Sequence, residues 1–244
     1  MIWSKKKFNI LVLGAGRGGT SLIASLLDAH PKLEIALEAH VQKYLVSAAR
    51  GPDAPEATER LKLFIKACQK DASQSHFPTW GNKITTEQLG FLESDDQPEK
   101  GKSLVYQKLL CSKKIIFITR DGRSCIPSKM QRTQCDLKTA VNYWKHSVNY
   151  LRFLRSQADA QLITLKFEDL LQQPRVELKR LSEFLQIDYS PEMLSGTGSN
   201  RIHSDYRQKE INPNKALIKP EAYSIGKQIE NDLSYLGYNL TLDS

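Results

Sequence analysis

A glycine-rich loop near the start of the chain has the composition of an anion-binding site. It covers residues 14–21 and reads GAGRGGTS, between an apolar run and a helical pattern. Glycine lets backbone N–H groups approach a ligand closely, and the N-terminus of the following helix carries partial positive charge. Arg17 adds a cation within the loop, and Thr20 and Ser21 add two hydroxyl groups. These residue types at this spacing predict that a phosphate-like group binds here.

Two nucleotide-binding patterns overlap in this loop. Gly14, Gly16 and Gly19 fit the G-x-G-x-x-G turn of dinucleotide-binding proteins. Glu34 follows where those proteins carry an acidic residue. The P-loop pattern G-x-x-x-x-G-K-[ST] fits too, except that Thr20 replaces its lysine. The missing lysine disfavours an ATPase or GTPase, and a loop of this kind does not require a bound metal. The loop alone leaves open a kinase of a nucleotide or small molecule and an NAD-binding oxidoreductase.

The elements around the loop predict an α/β fold. We expect strands over residues 8–13, 33–37, 79–83, 115–118 and 162–167. Helical patterns occupy residues 20–29, 41–50, 56–70, 136–154, 174–185 and 221–236, and loops occupy residues 94–102 and 195–219. Strands that alternate with helices predict a parallel sheet flanked by helices on both faces. A chain of 244 residues fits a single domain over residues 1–244.

Composition narrows the class of protein further. With 40% hydrophobic and 25% charged residues, the chain has the make-up of globular domains, and disorder is excluded as its main state. No apolar stretch reaches the length of a transmembrane segment, and the run after Lys5–Lys7 is too short for an export signal. Four cysteines without C-x-x-C spacing argue against zinc and disulfides, so we expect a soluble cytoplasmic protein. A net charge of +8 indicates an anionic ligand, nucleic acid or an acidic surface as partner.

The loop and the segment after it resemble the sulfotransferase family, whose donor is 3′-phosphoadenosine 5′-phosphosulfate (PAPS). The tyrosylprotein sulfotransferase branch has a loop of the form P-R-S-G-T-T followed by L-D-A-H-P. Here residues 17–21 read RGGTS and residues 27–31 read LDAHP at the same spacing, with Gly16 in place of the proline and Gly18 in place of the serine. The resemblance implies a P-loop-like nucleotide-binding fold and assigns donor binding to Gly16, Arg17, Gly18, Gly19, Thr20 and Ser21.

A second motif of the family lies near the middle of the chain. It consists of an arginine that ends a strand and a serine eight residues later, which Arg120 in the R-D-G-R segment and Ser128 reproduce. The resemblance implies that this pair holds the 3′-phosphate of the donor. By spacing it also assigns Ser199 to the donor site, whereas the family's late lysine falls on Asn212 and Lys215 is expected to substitute.

Two further residues gain a chemical role from the resemblance. A catalytic glutamate of the tyrosylprotein branch corresponds to Glu38, and a family lysine corresponds to Lys83 in the G-N-K segment. Four candidates fall at or just past the carboxyl end of a predicted strand, the edge where open parallel sheets bind ligands: Arg17, Glu38, Lys83 and Arg120. We expect partial burial to raise the pKa of Glu38, with His40 as the reserve base and His30 as a structural residue.

The sequence therefore predicts a PAPS-dependent sulfotransferase that releases adenosine 3′,5′-bisphosphate (PAP) and uses no metal. Glu38 takes the proton of an acceptor hydroxyl or amine, while Arg17 and Lys83 stabilise charge on the transferred sulfuryl group. The acceptor is left open among peptide tyrosine, glycan, lipid and small molecule. A kinase is disfavoured because no obvious acidic magnesium ligand follows an apolar strand of this chain. An NAD-binding oxidoreductase is disfavoured because that function would leave Arg120 and Ser128 without a role. A nucleic-acid-binding protein is disfavoured because the lysines are dispersed and no binding module is recognised.

Overall fold

Five parallel strands form one sheet within the residues that the structure describes. The structure, a computed structural model, describes residues 8–47, 55–93, 98–199, 211, 218 and 223–239. The strands are β1 (Phe8–Gly14), β2 (Leu33–Leu37), β3 (Thr79–Lys83), β4 (Lys114–Thr119) and β5 (Leu162–Lys166). Neighbouring strands are parallel, in the order β2-β3-β1-β4-β5. The predicted α/β fold with a helix-flanked parallel sheet is confirmed.

Helices cover both faces of the sheet. The described helices are α1 (Thr20–Asp28), α2 (Ala57–Gln74), α3 (Thr86–Gly90), α4 (Pro98–Lys108), α5 (Gly122–Thr133), α6 (Leu137–Arg155), α7 (Phe167–Gln172), α8 (Pro174–Leu185), α9 (Tyr223–Gln228) and α10 (Glu230–Tyr235). A π-helical turn (Gln42–Val46) and two 3-10 turns (Leu110–Ser112 and Pro191–Ser195) complete this set. None of the described helices is both long and apolar enough to cross a lipid bilayer.

Alternation along β1 divides the core into two layers. Leu11 and Leu13 belong to one layer with residues of α2, α4, α5 and α6. Ile10 and Val12 belong to the other layer with residues of α1, α7 and α8. Successive side chains of a strand point to opposite faces, so a strand covered on both faces is apolar at every position. This double coverage explains the continuous apolar run that precedes the glycine loop.

The strand order places a topological switch point at β1. The strands β3 and β2 lie on one side of β1, and β4 and β5 lie on the other. Val12 of β1 is in register with Lys83 of β3, and Gly14 of β1 is in register with Ile118 of β4. Open α/β sheets bind ligands in the crevice outside the carboxyl ends of the strands at such a point. The segments that follow β1, β3 and β4 therefore meet where a ligand site is expected.

Several predicted boundaries differ from the structure. Residues 41–50 were predicted to be helical. A short π-helical turn over Gln42–Val46 lies in this segment instead, and residues 48–50 lie outside the described residues. The predicted loop over residues 94–102 is wrong from residue 98 onward, because α4 begins at Pro98 and proline suits the first position of a helix. The single helix predicted over residues 221–236 is divided into α9 and α10 at Ile229, whose φ of −125° is not helical.

Candidate active site

A cleft of about 860 Å³ opens at the carboxyl edge of the sheet. Its walls come from the loop after β1, the residue after β2, the end of β3, the start of the segment after β4 and helices α3, α5, α6 and α7. The predicted residues that line it are Gly16, Arg17, Gly19, Thr20, Ser21, Glu38, Lys83, Arg120 and Ser128. Its charged lining consists of five cations and two carboxylates: Arg17, Lys83, Arg120, Lys129 and Arg132 against Glu38 and Glu87. This excess of positive charge favours an anionic ligand.

The loop after β1 depends on glycine at two places. Gly19 has a φ of 98°, and a Cβ at this position would lie 3.0 Å from Cε2 of the Phe167 ring, so a larger residue does not fit. Gly18 donates its N–H to the Ala15 carbonyl (2.9 Å) and is buried below the surface of the cleft. Between them and β1, Arg17 has a φ of 72° and an exposed side chain. The glycines shape the loop, and Arg17 presents its charge to the cleft.

The N-terminus of α1 faces the cleft. The helix begins at Thr20 directly after Gly19, and no side chain among the described residues caps its first N–H groups. Thr20 and Ser21 both line the cleft. Uncapped N–H groups and the helix dipole together favour a bound anion at such an end.

Arg17 and Ser128 bring the two sequence motifs together. The Nε of Arg17 donates to Oγ of Ser128 (3.2 Å), across a separation of 111 residues in sequence. Arg120 donates from Nη1 to the Arg17 carbonyl (3.0 Å). Arg120 also donates from Nε to Oγ of Ser124 (2.9 Å), and its guanidinium lies 4.6 Å from the centre of the Phe167 ring. Guanidinium and hydroxyl groups from both motifs thus converge on one wall of the cleft.

A buried network fixes the segment that contains Arg120. Glu168 accepts hydrogen bonds from the Asp121 N–H (3.1 Å) and from the Tyr238 hydroxyl (2.9 Å). Burial raises the pKa of Glu168. The Asp121 carboxylate caps α5 by accepting the Arg123 N–H (2.8 Å), and it also pairs with the Arg123 guanidinium (2.7 Å). The R-D-G-R segment therefore offers its first arginine to the cleft and uses its second to hold the turn.

Glu38 and Lys83 form an ion pair in the cleft. The Lys83 ammonium donates to Oε1 of Glu38, and the Glu38 N–H donates to the Lys83 carbonyl (2.9 Å). The pair forms because Leu37, the last residue of β2, is in register with Lys83, the last residue of β3. The Lys83 side chain is 6% exposed and the Glu38 side chain is 38% exposed, so a ligand can reach the carboxylate from the cleft.

The pKa of Glu38 is lowered from its ordinary value, and the predicted rise is wrong. Burial raises this pKa, but the charge of Lys83 and the hydrogen bonds from Lys83 and Gln88 together lower it by more. The Gln88 amide is oriented by its Oε1, which accepts the Thr85 N–H (2.9 Å) in a capping box at the start of α3. Its other end is thereby free to donate to the carboxylate. Glu38 is consequently ionised at neutral pH and able to accept a proton.

Two cleft residues without a family motif, Glu87 and Lys129, were not predicted. The Glu87 carboxylate accepts the Gly16 N–H with both oxygens (2.9 and 3.0 Å) and pairs with the Lys129 ammonium (3.2 Å). Lys129 also lies over the ring of Tyr143, 4.9 Å from its centre. The only local signal is the capping-box pattern over residues 85–88, which marks a helix start and places Glu87 in the first turn. The Gly16 N–H is therefore occupied within the protein, although Gly16 lies in the predicted donor loop.

Ser199 is the predicted site residue that the structure keeps away from the cleft. Its N–H donates to Oγ1 of Thr197 (3.1 Å), and this hydroxyl donates to Asp28 (2.7 Å). Asp28 is the last residue of α1, whose first residue lines the cleft, so Ser199 lies at the opposite end of this helix. Lys215 and Asn212 lie outside the described residues, and the assignment of Lys215 stays a prediction.

Three other residues have partners outside the cleft: the predicted structural residue His30, the reserve base His40 and the acidic residue of the dinucleotide pattern, Glu34. His30 is buried, and its Nε2 lies 2.8 Å from a backbone carbonyl oxygen. His40 does not line the cleft, and its Nε2 lies 2.7 Å from Oδ2 of Asp71. Glu34 lies near the amino end of β2 and accepts the Ser75 hydroxyl (2.5 Å). Neither His40 nor Glu34 lines the cleft where the loop residues gather.

Sequence comparison agrees with this geometry. A profile described as "Sulfotransferase family" matches residues 106–191, which include Arg120 and Ser128. A Caenorhabditis briggsae protein named after protein-tyrosine sulfotransferases is 25% identical over 214 residues, covering 76% of this chain and 68% of that protein. Protein-tyrosine sulfotransferase 1 of Danio rerio is 24% identical over 204 residues, covering 79% of this chain and 57% of that protein. The predicted resemblance to the sulfotransferase family and its tyrosylprotein branch is confirmed. The chain nevertheless spans only part of the length of these curated relatives.

Solved structures share the fold of this chain. The sulfotransferase domain from the curacin biosynthetic pathway aligns with a TM-score of 0.60 at 19% identity, covering 98% of this chain and 100% of that domain. The sulfotransferase domain from the Synechococcus PCC 7002 olefin synthase aligns with a TM-score of 0.60 at 17% identity, covering 99% and 100%. A mouse sulfotransferase solved in complex with PAP aligns with a TM-score of 0.52 at 13% identity, covering 96% and 87%. At these identities the matches show a common fold, and the family match supports a sulfotransferase activity.

Proposed function

We propose that this protein transfers the sulfuryl group of PAPS to an acceptor hydroxyl or amine and releases PAP. The observation that supports this most strongly is the contact between the two motifs, in which Arg17 donates to Ser128 and Arg120 donates to the Arg17 carbonyl. The family profile covers the second motif, and a mouse sulfotransferase of the same fold was solved with PAP. No described contact favours the kinase or the oxidoreductase over this function.

The cleft fits a nucleotide that carries two anionic groups. Its volume of about 860 Å³ is in the range of small-molecule sites, and its lining holds more cations than carboxylates. Arg120 and Ser128 would hold the 3′-phosphate. Arg17 and the N-terminus of α1, with Thr20 and Ser21, would hold the phosphosulfate end. The cleft thus holds hydrogen-bond donors for both anionic groups of the nucleotide.

Glu38 would act as the general base. The donor, when bound, supplies a sulfuryl group attached to a phosphate leaving group. Glu38 takes the proton of the acceptor hydroxyl while the acceptor oxygen bonds to sulfur, and the electron pair of the broken sulfur–oxygen bond leaves with PAP. With the donor bound and before proton transfer, Lys83 would turn from the Glu38 carboxylate to oxygens of the sulfuryl group and stabilise their charge. This would remove the attraction that keeps the pKa of Glu38 low, so Glu38 would be a stronger base in the filled site.

Peptide tyrosine is the acceptor that the names of the relatives favour. Phe91 and Tyr143 line the cleft with 38% and 39% of their surface exposed, and their rings could contact an aromatic or sugar acceptor. Glycan, lipid and small-molecule acceptors belong in the same activity screen. We further propose a cytoplasmic location from the cysteine usage. Metal independence stays a prediction, although the described residues contain no cluster of three His, Cys, Asp or Glu side chains that could hold a metal.

Arg120→Ala tests the proposed function by calorimetric titration with nucleotides. Loss of a charge-assisted hydrogen bond costs roughly 1.5–3 kcal/mol, so PAP should bind roughly 10- to 150-fold more weakly. Binding of 5′-AMP, which lacks the 3′-phosphate, should stay close to that of the wild type. The matched control is Arg175→Ala, which removes an exposed positive charge on α8 outside the cleft. A wild-type protein that binds ATP or NAD but shows no preference for PAP over 5′-AMP would contradict the proposal.

A further inference from the structure

We propose that Glu87 is a positioning residue for the donor loop: its carboxylate holds the Gly16 N–H and thereby fixes the loop that presents Arg17 to the donor. This inference rests on the proposed function, because the ligand that the loop is held for is PAPS. It gives a role to a residue that no motif marks. Glu87 would act through the loop and would not touch the transferred group.

The contacts of Glu87 join three parts of the cleft. Its side chain is 8% exposed, and both carboxylate oxygens accept the Gly16 N–H (2.9 and 3.0 Å). The Lys129 ammonium lies 3.2 Å from the same carboxylate and is itself 16% exposed. Glu87 thus connects the loop after β1, the first turn of α3 and the middle of α5. A contact this buried and this connected restrains the loop more than a surface salt bridge would.

Besides the contact of the Cys125 thiol with the Gly16 carbonyl (3.7 Å), two parallel links fasten the loop to α5. Gly16 is joined through Glu87 to Lys129, and the next residue, Arg17, is joined to Ser128 (3.2 Å). Adjacent loop residues therefore contact adjacent residues of α5. Because Arg17 has a left-handed backbone with a φ of 72°, its side-chain direction depends on the conformation of the preceding peptide. Release of Gly16 would consequently change where the Arg17 guanidinium points.

Gly16 and Glu87 are matched to each other in shape as well as in hydrogen bonding. A Cβ at Gly16 would lie 2.8 Å from the Lys129 ammonium and 2.9 Å from Oε1 of Glu87. The tyrosylprotein motif that this loop resembles has proline at the Gly16 position, and proline has no N–H to donate. In this chain the glycine adds one backbone donor in a half-buried place, and the Glu87 carboxylate satisfies it. The two residues form a unit that replaces the proline.

The charge of Glu87 would oppose an anionic donor if it stood alone. Lys129 neutralises it within the cleft, and the same lysine lies over the Tyr143 ring (4.9 Å). The pair therefore adds a restraint to the loop without removing the positive excess supplied by the three arginines of the cleft, Arg17, Arg120 and Arg132. The net charge of the pair is zero, so its effect on the donor should come from geometry.

A double-mutant cycle with Glu87→Ala and Gly16→Pro tests this pairing. We expect Glu87→Ala to weaken PAP binding by about 10-fold in calorimetry and to raise the donor KM more than it lowers kcat. Glu87→Gln keeps an acceptor oxygen, so it should recover most of that loss. Gly16→Pro alone should also weaken binding, because the added ring atoms meet Glu87 and Lys129. The double variant should bind PAP more tightly than either single variant, because it removes the unsatisfied N–H and the collision with Glu87 together.

The outcomes separate this inference from the proposed function. A wild type that fails to bind PAP refutes the proposed function. If the wild type binds PAP, two results refute the role of Glu87: single-variant effects on PAP affinity that add up in the double variant, or a PAP affinity of Glu87→Ala equal to that of the wild type. Melting temperatures of all variants, measured without ligand, show whether each one folds. Should Glu87→Ala fail to fold, Glu87→Gln and the double variant still decide the question. Slow hydrogen exchange of the Gly16 amide in the wild type and faster exchange in Glu87→Ala would support the link, and equal exchange would overturn it.

Discussion

Replacing Gly19 with alanine is expected to destabilise the protein and to weaken PAP binding. Gly19 precedes α1 with a φ of 98°, a backbone conformation that alanine adopts only with strain. The added Cβ would overlap Cδ2 of Phe167 and lie 3.0 Å from its Cε2 and 3.1 Å from Cδ1 of Ile118. The Phe167 ring lies under the Arg120 guanidinium, so displacement of the ring would also move Arg120. One methyl group should therefore affect both stability and the donor site.

The magnitude follows from two separate costs. A left-handed backbone costs a residue other than glycine roughly 1–2 kcal/mol, and overpacking of a filled core costs about 1–3 kcal/mol. Their sum, roughly 2–5 kcal/mol, is a large share of the free energy of unfolding of a typical protein, about 5–15 kcal/mol. Since 1 kcal/mol corresponds to roughly 2–4 °C for a chain of this size class, the melting temperature should fall by roughly 4–20 °C.

Calorimetric melting of Gly19→Ala beside two further variants provides the assay. The matched control is Gly90→Ala, because a Cβ at Gly90 meets only His146 at ordinary contact distance (3.5 Å), and its stability should stay within about 1 kcal/mol of the wild type. Adding Phe167→Leu to Gly19→Ala makes room for the methyl group and should restore part of the loss. A Gly19→Ala protein that melts with the wild type would refute the reasoning, as would a Phe167→Leu change that restores nothing.

The remaining predictions concern catalysis. Glu38→Gln should lower turnover by about 10²-fold or more while PAP affinity in calorimetry stays unchanged, and near-normal turnover would remove Glu38 as the base. In the wild type the rate should fall as the pH drops through the lowered pKa of Glu38, and this acidic limb should be absent in Glu38→Gln. Lys83→Met should lower turnover and move the acidic limb to higher pH, because burial then raises the pKa of Glu38 without opposition from the ammonium; an unmoved limb would contradict the ion pair. Excess chelator should leave turnover unchanged, and a loss that magnesium restores would favour a kinase.

Local pattern was sufficient for most of the fold. The apolar runs that became β1 to β5 and the periodic segments that became α1, α2, α6 and α8 are short-range features, and each lies close to its predicted place. The predicted boundaries were wrong where the sequence pattern was weak or continued across two elements. At Pro98 a polar and acidic composition concealed a helix start, and at Ile229 one apolar periodicity continued across two helices. Composition indicates how polar a segment is, whereas hydrogen bonds and packing determine its backbone conformation.

The candidate site was predicted only in part, because the sequence shows which residues follow a strand but not which distant residues meet. Arg17, Lys83 and Arg120 could be placed at strand ends from sequence, since the carboxyl ends of parallel strands share one edge. The sequence could not show that Ser199 lies at the far end of α1, because its position depends on the contact between Thr197 and Asp28, which are 169 residues apart. Nor could it show that Glu87 holds the Gly16 N–H, because the two residues are 71 positions apart.

By itself, the sequence determined the parallel α/β architecture, the anion-binding loop and the two family motifs, because these are properties of neighbouring residues. Tertiary structure alone decided which groups meet. The strand order places β1 between β3 and β4, so that the Arg17 guanidinium reaches Ser128, 111 residues away. Tertiary structure also decided the direction of the Glu38 pKa shift. Burial raises this pKa and could be expected from the sequence. The Lys83 ammonium reverses the shift, and this residue, 45 positions later, lies beside Glu38 because β2 and β3 pair in register. The electrostatics of a site depend on distances in space, and only the packing of the strands sets those distances.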